Sequence, residues 1–256
     1  MIYGSDWGAY LSATNEEAIP FNDLHEGGLL DFFITKGCQE VPYISSIKNI
    51  AYARAAGVEV VGSYYWHFPV WSAQYQIDTY SAAIAKEKPD FIALDMEQTQ
   101  GKSSWAVSEN ARVVCDGLHK NFPDKKLFIY TSRDYINGFV PDANAWLNKW
   151  GRWIAYWPGP IKTGAARYLS FDEIKQYPLP TWKPLLPLAW LGWDIWQDNN
   201  WAIPEGYGWP FDHQYDWNVF NGTLDQLKIL CGMKPAPILT DKEKLDKLWA
   251  GHPELW

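Results

Sequence analysis

Phe91-Ile92-Ala93-Leu94-Asp95-Met96-Glu97 is the stretch that decides the fold. Four apolar residues lead into two carboxylates one residue apart. Read as a strand, its period of two puts Asp95 and Glu97 on one face and Met96 on the other. Acids at the end of an apolar strand mark the C-terminal rim of a parallel α/β barrel, where that fold keeps its chemistry. Two like charges this close push one pKa up. One carboxyl then stays protonated as a general acid near neutral pH.

Short apolar runs recur on either side, at 2–6, 30–35, 58–65, 126–131, 152–157, 193–197 and 212–219. Helical patterns lie between them at 45–56, 71–87, 104–121, 142–149 and 223–230. Ser103 and Ser104 are suited to cap the 104–121 helix, and Gly57 to end the 45–56 helix. Strands alternating with helices predict parallel pairing. Eight strands in about 230 residues fit a closed barrel better than an open sheet. Helices thin out after residue 150, where Pro, Gly and Trp crowd the connections. The expected fold is therefore α/β, an irregular TIM-like (β/α) barrel over residues 1–232 with some helices missing in its C-terminal half. Residues 233–256 read as a linker from Lys234 and a charged helix, Asp241 to Ala250, capped by Thr240. That helix packs on the barrel or leads to a further module.

The chain has 256 residues and a net charge of −8. An acidic protein lacks the basic footprint of a nucleic-acid binder, and charge alone does not dock it on an anionic membrane. Residues 177–196 hold four prolines and cannot form a spanning helix. Met1 to Trp7 lacks the charged and apolar regions of a signal peptide. Cys38, Cys115 and Cys231 are widely spaced and read as buried free thiols. No phosphate loop, nucleophile elbow or H-E-x-x-H motif occurs, so neither a cofactor nor a metal is expected. The 17 Trp, 15 Tyr and 11 Phe make a carbohydrate cleft a live hypothesis, since amphipathic rings stack on sugars.

Two further acids belong with Asp95 and Glu97. Asp6 ends the first apolar run, and Asp216 lies in the last. In a closed barrel the first and last strands are neighbours, so all four acids meet at one rim. Such convergence is costly unless the acids are used or paired. His67 reads as a loop residue.

Together these residues resemble the family-25 glycoside hydrolases, lysozymes that cut the muramic acid–glucosamine link of peptidoglycan. The resemblance covers residues 2–222. It rests on Gly4-Ser5-Asp6-Trp7, on Asp95-Met96-Glu97 and on Asp216-Trp217-Asn218-Val219-Phe220. Phe32 to Lys36, Gly62-Ser63-Tyr64, Ile129-Tyr130-Thr131, Trp153-Ile154-Ala155 and Trp196-Gln197 support it in order. The departures are Tyr10-Leu11, Gly37-Cys38-Gln39-Glu40, Trp157, and the bulky Tyr64-Tyr65-Trp66-His67. They bear on the cleft wall. The resemblance implies that Glu97 is the general acid, and that Asp95 assists the sugar's acetamido group or orients water. Asp6 and Asp216 would tune Glu97 and hold the sugar. Substrate contacts would come from Tyr64, Tyr130, Trp157, Gln197, Lys36 and Trp66. Retention and inversion both stay open. The implied partner is bacterial peptidoglycan, and the implied setting a phage endolysin held in the host cytoplasm until lysis. The alternatives are a non-catalytic glycan-binding barrel and a hydrolase of another acetamido-sugar polymer such as chitin.

Overall fold

The structure is a computed structural model that describes residues 1–8, 20–159, 168–204 and 216–234. Eight strands close a barrel: β1 (Ile2–Trp7), β2 (Phe32–Cys38), β3 (Val60–Trp66), β4 (Phe91–Asp95), β5 (Lys126–Thr131), β6 (Gly151–Ala155), β8 (Ile195–Asn199) and β10 (Asp216–Phe220). Two short strands, β7 (Tyr168–Leu169) and β9 (Ile203–Pro204), pair outside it. The barrel order is β1-β10-β8-β6-β5-β4-β3-β2. The α/β barrel is thus as the sequence leads one to expect, with one correction. The pairing is not wholly parallel: β10 runs antiparallel to both β1 and β8. An antiparallel neighbour needs no crossover helix, which fits the thinning of helices in this half.

The helices are α1 (Phe21–Glu26), α2 (Ile44–Ala55), α3 (Ala73–Glu87), α4 (Ser104–Asn121), α5 (Arg133–Phe139), α6 (Phe171–Ile174) and α7 (Leu224–Leu230). The pattern at 142–149 forms two 3-10 turns, Pro141–Ala145 and Leu147–Lys149, rather than one helix. Ser103 caps α4, its Oγ accepting from the Ala106 N–H at 3.3 Å. Val107, Ala111, Val114, Cys115 and Leu118 are the buried stripe of α4, and they pack with Ile92, Leu94 and Met96 from the outer face of the β4 region. Gly57 follows α2 at φ +95°, a left-handed position that suits glycine. All three cysteines are free and buried. None of the described helices is long and apolar enough to cross a membrane. The helix expected at Asp241–Ala250 lies outside the described residues, as does Tyr10-Leu11.

The barrel interior is graded from apolar to acidic. Phe32, Phe91 and Phe128 fill one level. Each lies where a neighbouring strand has glycine: a Cβ on Gly4, Gly62 or Gly151 would come within 2.6, 2.3 and 2.4 Å of Phe32, Phe91 and Phe128 respectively. Two residues further along each strand, the same face carries Ile34, Ala93 and Tyr130, and beyond them Lys36 and Asp95. Period two turns one strand sequence into both the packed floor and the polar mouth.

Candidate active site

At that mouth Asp6, Tyr64, Trp66, Asp95, Glu97, Tyr130, Trp153, Gln197 and Asp216 line a pocket of about 80 Å³. That volume holds a few waters or a small polar group, so the pocket is the floor of a larger recognition surface. Asp95 is the last residue of β4, and Glu97 follows beyond the strand's end. Met96 is fully buried on the opposite side, among the helix-facing core. Asp6 and Asp216 are register partners on β1 and β10. The reversal of β10 places Asp216 here, because the strand enters the barrel at this rim.

The four acids sit in a low-polarity setting. Burial pushes the Asp6 carboxyl up to about 7, against two amide donors that favour its ionised form. Those are Asn218 Nδ2 at 2.7 Å and Gln197 Nε2 at 2.8 Å, both on Asp6 Oδ1. Burial, then the negative charge of Glu97, raise Asp95 well above the carboxylate range. Burial also raises Glu97, while the Lys36 ammonium opposes it. Asp95 and Glu97 are hydrogen-bonded to each other, so the pair holds a proton that two isolated acids would lose. Asp216 is raised by burial and then by Asp6 and Glu97.

Aromatic side chains wall the acids in. The Trp153 ring meets Tyr130 at 4.6 Å and Tyr64 at 6.1 Å between centroids, both edge to face. Burial raises both phenols far above neutrality, so they act as neutral hydroxyls. Lys36 Nζ lies 4.2 Å from the centroid of Trp66 and donates to Gln39 Oε1 at 2.5 Å. Lys36 is itself buried and does not line the pocket.

The structure thus brings Asp6, Asp95, Glu97, Asp216, Tyr64, Trp66, Tyr130 and Gln197 together. Trp157 is not among them. It lies two residues past the end of β6, is 42% exposed and does not line the pocket. Trp153 occupies the ring position instead, and the sequence reading missed it. The signal was there: Trp153 and Ala155 share the inward face of β6 under period two. Asn218 was also missed as a partner of Asp6. His67 follows β3 as expected, but it is buried, with Nε2 2.8 Å from Asn110 Oδ1. Many tryptophans serve the core: Trp7, Trp150, Trp190, Trp196, Trp201 and Trp217 are all buried.

Comparison with known proteins agrees with this geometry. No curated protein matches the chain. Among solved structures, a bacterial lysozyme from Streptomyces coelicolor superposes with a TM-score of 0.68 at 18% identity, covering 90% of this chain and 97% of that one. A muramidase from Acremonium alcalophilum gives 0.64 at 18% identity, covering 91% and 99%. The catalytic domain of endolysin ply40, from bacteriophage P40 of Listeria monocytogenes, gives 0.60 at 15%, covering 91% and 98%. At these identities the likeness establishes the fold. The family model described as glycosyl hydrolases family 25 matches residues 11–201, a span that includes Asp95, Glu97, Tyr130 and Gln197. By that match, which takes in well over half of its length, the chain belongs to glycosyl hydrolases family 25.

Proposed function

We propose that this enzyme is a peptidoglycan hydrolase that cleaves the β-1,4 bond between N-acetylmuramic acid and N-acetylglucosamine. The observation that carries the reading is the hydrogen-bonded Asp95–Glu97 pair on the floor of a pocket shared with Asp6 and Asp216. Family membership supplies the glycosidic chemistry, and a muramidase and a phage endolysin among the structural neighbours favour the wall polymer.

The proton that burial holds on the Asp95–Glu97 pair passes from Glu97 to the glycosidic oxygen as the bond breaks. Asp95 lies within hydrogen-bond reach of it. Inverting acid–base pairs stand about 6.5–9.5 Å apart to admit a water, and nucleophile pairs about 5–5.5 Å. A pair in direct contact fits neither spacing. It fits a reaction in which the substrate's own acetamido oxygen attacks the anomeric carbon while Asp95 holds the acetamido N–H. Asp6 and Asp216 keep the site acidic, which sustains the proton on Glu97. Tyr64, Trp66 and Trp153 offer ring faces and edges to the sugar.

The test is digestion of purified peptidoglycan, borohydride reduction of the new ends and mass spectrometry of the fragments. Reduced muramic acid ends support the proposal. Reduced glucosamine ends, or cleavage of soluble chitin oligomers in place of peptidoglycan, overturn the bond assignment. Binding without any new ends from folded protein overturns the catalytic reading.

A further inference from the structure

Gln197 does not have its amide free for a substrate: it is 2% exposed and engaged at both ends. We propose that Gln197 is a positioning residue, which turns the Tyr130 hydroxyl proton away from Glu97 and so holds the catalytic proton on Glu97. This rests on the assignment of Glu97 as the general acid.

The direction of every proton in the chain follows from one group that can only donate. The Trp153 indole N–H donates to Asn218 Oδ1 at 2.7 Å. Asn218 therefore turns Nδ2 towards Asp6 and donates to its Oδ1 at 2.7 Å. A carboxylate oxygen only accepts, so with Asp6 ionised Gln197 presents Nε2 to it, at 2.8 Å. The other end of the Gln197 amide is then a carbonyl oxygen. The Tyr130 hydroxyl donates to it at 2.9 Å. A hydroxyl has a single proton. Spent on Gln197, it leaves only lone pairs on the side of Tyr130 that meets Glu97. Lone pairs accept a bond from a neutral carboxyl and repel a carboxylate. A Tyr130 hydroxyl that donates to Glu97 lowers its proton affinity, and holding that proton on Gln197 removes this effect.

The other groups that face Glu97 are Asp95 on β4, Asp6 on β1, Asp216 on β10, Lys36 on β2, and the neutral phenols of Tyr64 and Tyr135. Lys36 lowers the proton affinity of Glu97, and so do hydrogen bonds to it from Asp95 and Tyr130. None of them fixes the orientation of the Tyr130 proton, and Gln197 does.

The experiment follows the basic limb of the kcat/KM–pH profile, and in parallel titrates the Glu97 side-chain carboxyl by 13C NMR, assigned through Glu97→Gln. The NMR arm reads the proposal even if peptidoglycan is not the substrate. Gln197→Met frees Tyr130, and both readouts are expected to move to lower pH by about half a unit or more, the scale of one hydrogen bond. Tyr130→Phe in the same background should erase the difference between Gln and Met at 197. Gln197→Glu keeps an acceptor for Tyr130, so it should show no downward shift, and it also serves if the Met variant does not fold. An unmoved Glu97 titration in Gln197→Met overturns the proposal. So does an equal downward shift in Gln197→Glu, or a Met effect that persists without the Tyr130 hydroxyl.

Discussion

Asp6 and Asp216 stand opposite each other as register partners on adjacent antiparallel strands, two acids in one rung at the mouth of the barrel. The arrangement costs stability once both ionise. Burial raises Asp216, and the Asp6 charge raises it further. Asp216→Asn removes one charge without changing size. It should raise Tm at pH 8 by about 2–4 °C, the equivalent of roughly 1 kcal/mol for a chain of this size, and raise it little at pH 4. The check is a pair of thermal melts, and a destabilised variant at pH 8 would refute it.

The same burial sets a pH dependence for the whole protein. The Asp6 carboxyl rises from 3.8 to about 7 on folding. A group whose pKa is raised by folding stabilises fully below its unfolded pKa, and this contribution is lost as pH rises through the folded value. For Asp6 the window runs from about 4 to about 7, and its size is at most on the order of 4 kcal/mol. Asp95, Glu97 and Asp216 act in the same sense. Tm is therefore expected to be higher at pH 5 than at pH 8. Asp6→Asn, which still accepts from Gln197 and Asn218, should flatten the curve. Equal slopes in the two proteins would exclude Asp6 as a cause.

Glu97→Gln keeps the shape of the pocket and removes the transferable proton. General acid catalysis contributes about 10²–10⁴-fold, so the rate of peptidoglycan cleavage should fall by that factor. Tm should hold or rise, because a raised carboxyl is replaced by a neutral amide. A variant with nearly full activity would remove Glu97 from its role.

Much of this site was legible because it obeys period two. The apolar run of β4 announces its own strand, and the acids at its end mark the rim. Asp6 and Asp216 could be joined once closure of the barrel was inferred. Other features left no local trace. Asp216-x-Asn218-x-Phe220 alternates equally well in either strand direction, so the reversal of β10 is a tertiary fact. Trp157 looked like the ring partner, but β6 ends at Ala155, and the inward position belongs to Trp153. The role of Gln197 depends on hydrogen-bond directions that start at Trp153, 44 positions away in sequence and on another strand. No sequence pattern encodes them.

The packed floor makes a purely structural prediction. A Cβ on Gly62 would lie 2.3 Å from Cζ of Phe91, a buried ring held between strands. The ring cannot leave, because Phe128 stands at its edge, 5.1 Å between centroids. Gly62→Ala should cost about 1–3 kcal/mol through overpacking, read as a loss in urea midpoint at unchanged slope. Gly101→Ala, where a Cβ would meet nothing but φ is +76°, should cost less and only through the backbone. Equal losses at both sites would show that steric contact on the floor is not the cause.

Lys36 supplies the counterweight to the acids. It is buried, its Nζ sits over Trp66, and its charge lowers the proton affinity of both Asp95 and Glu97. Lys36→Met removes that charge and keeps most of the apolar stem. The basic limb of the kcat/KM–pH profile should then move to higher pH, opposite to the shift expected for Gln197→Met, because Glu97 holds its proton longer. Asp95 holds its proton longer too, so it is neutral when the acetamido group must be polarised, and kcat at the optimum should fall. Lys36→Arg, which restores the charge and can still face the Trp66 ring, should return the limb towards its original place. A limb that stays put in Lys36→Met would mean that the ammonium is screened from the pair, and that Lys36 serves only to seat Trp66.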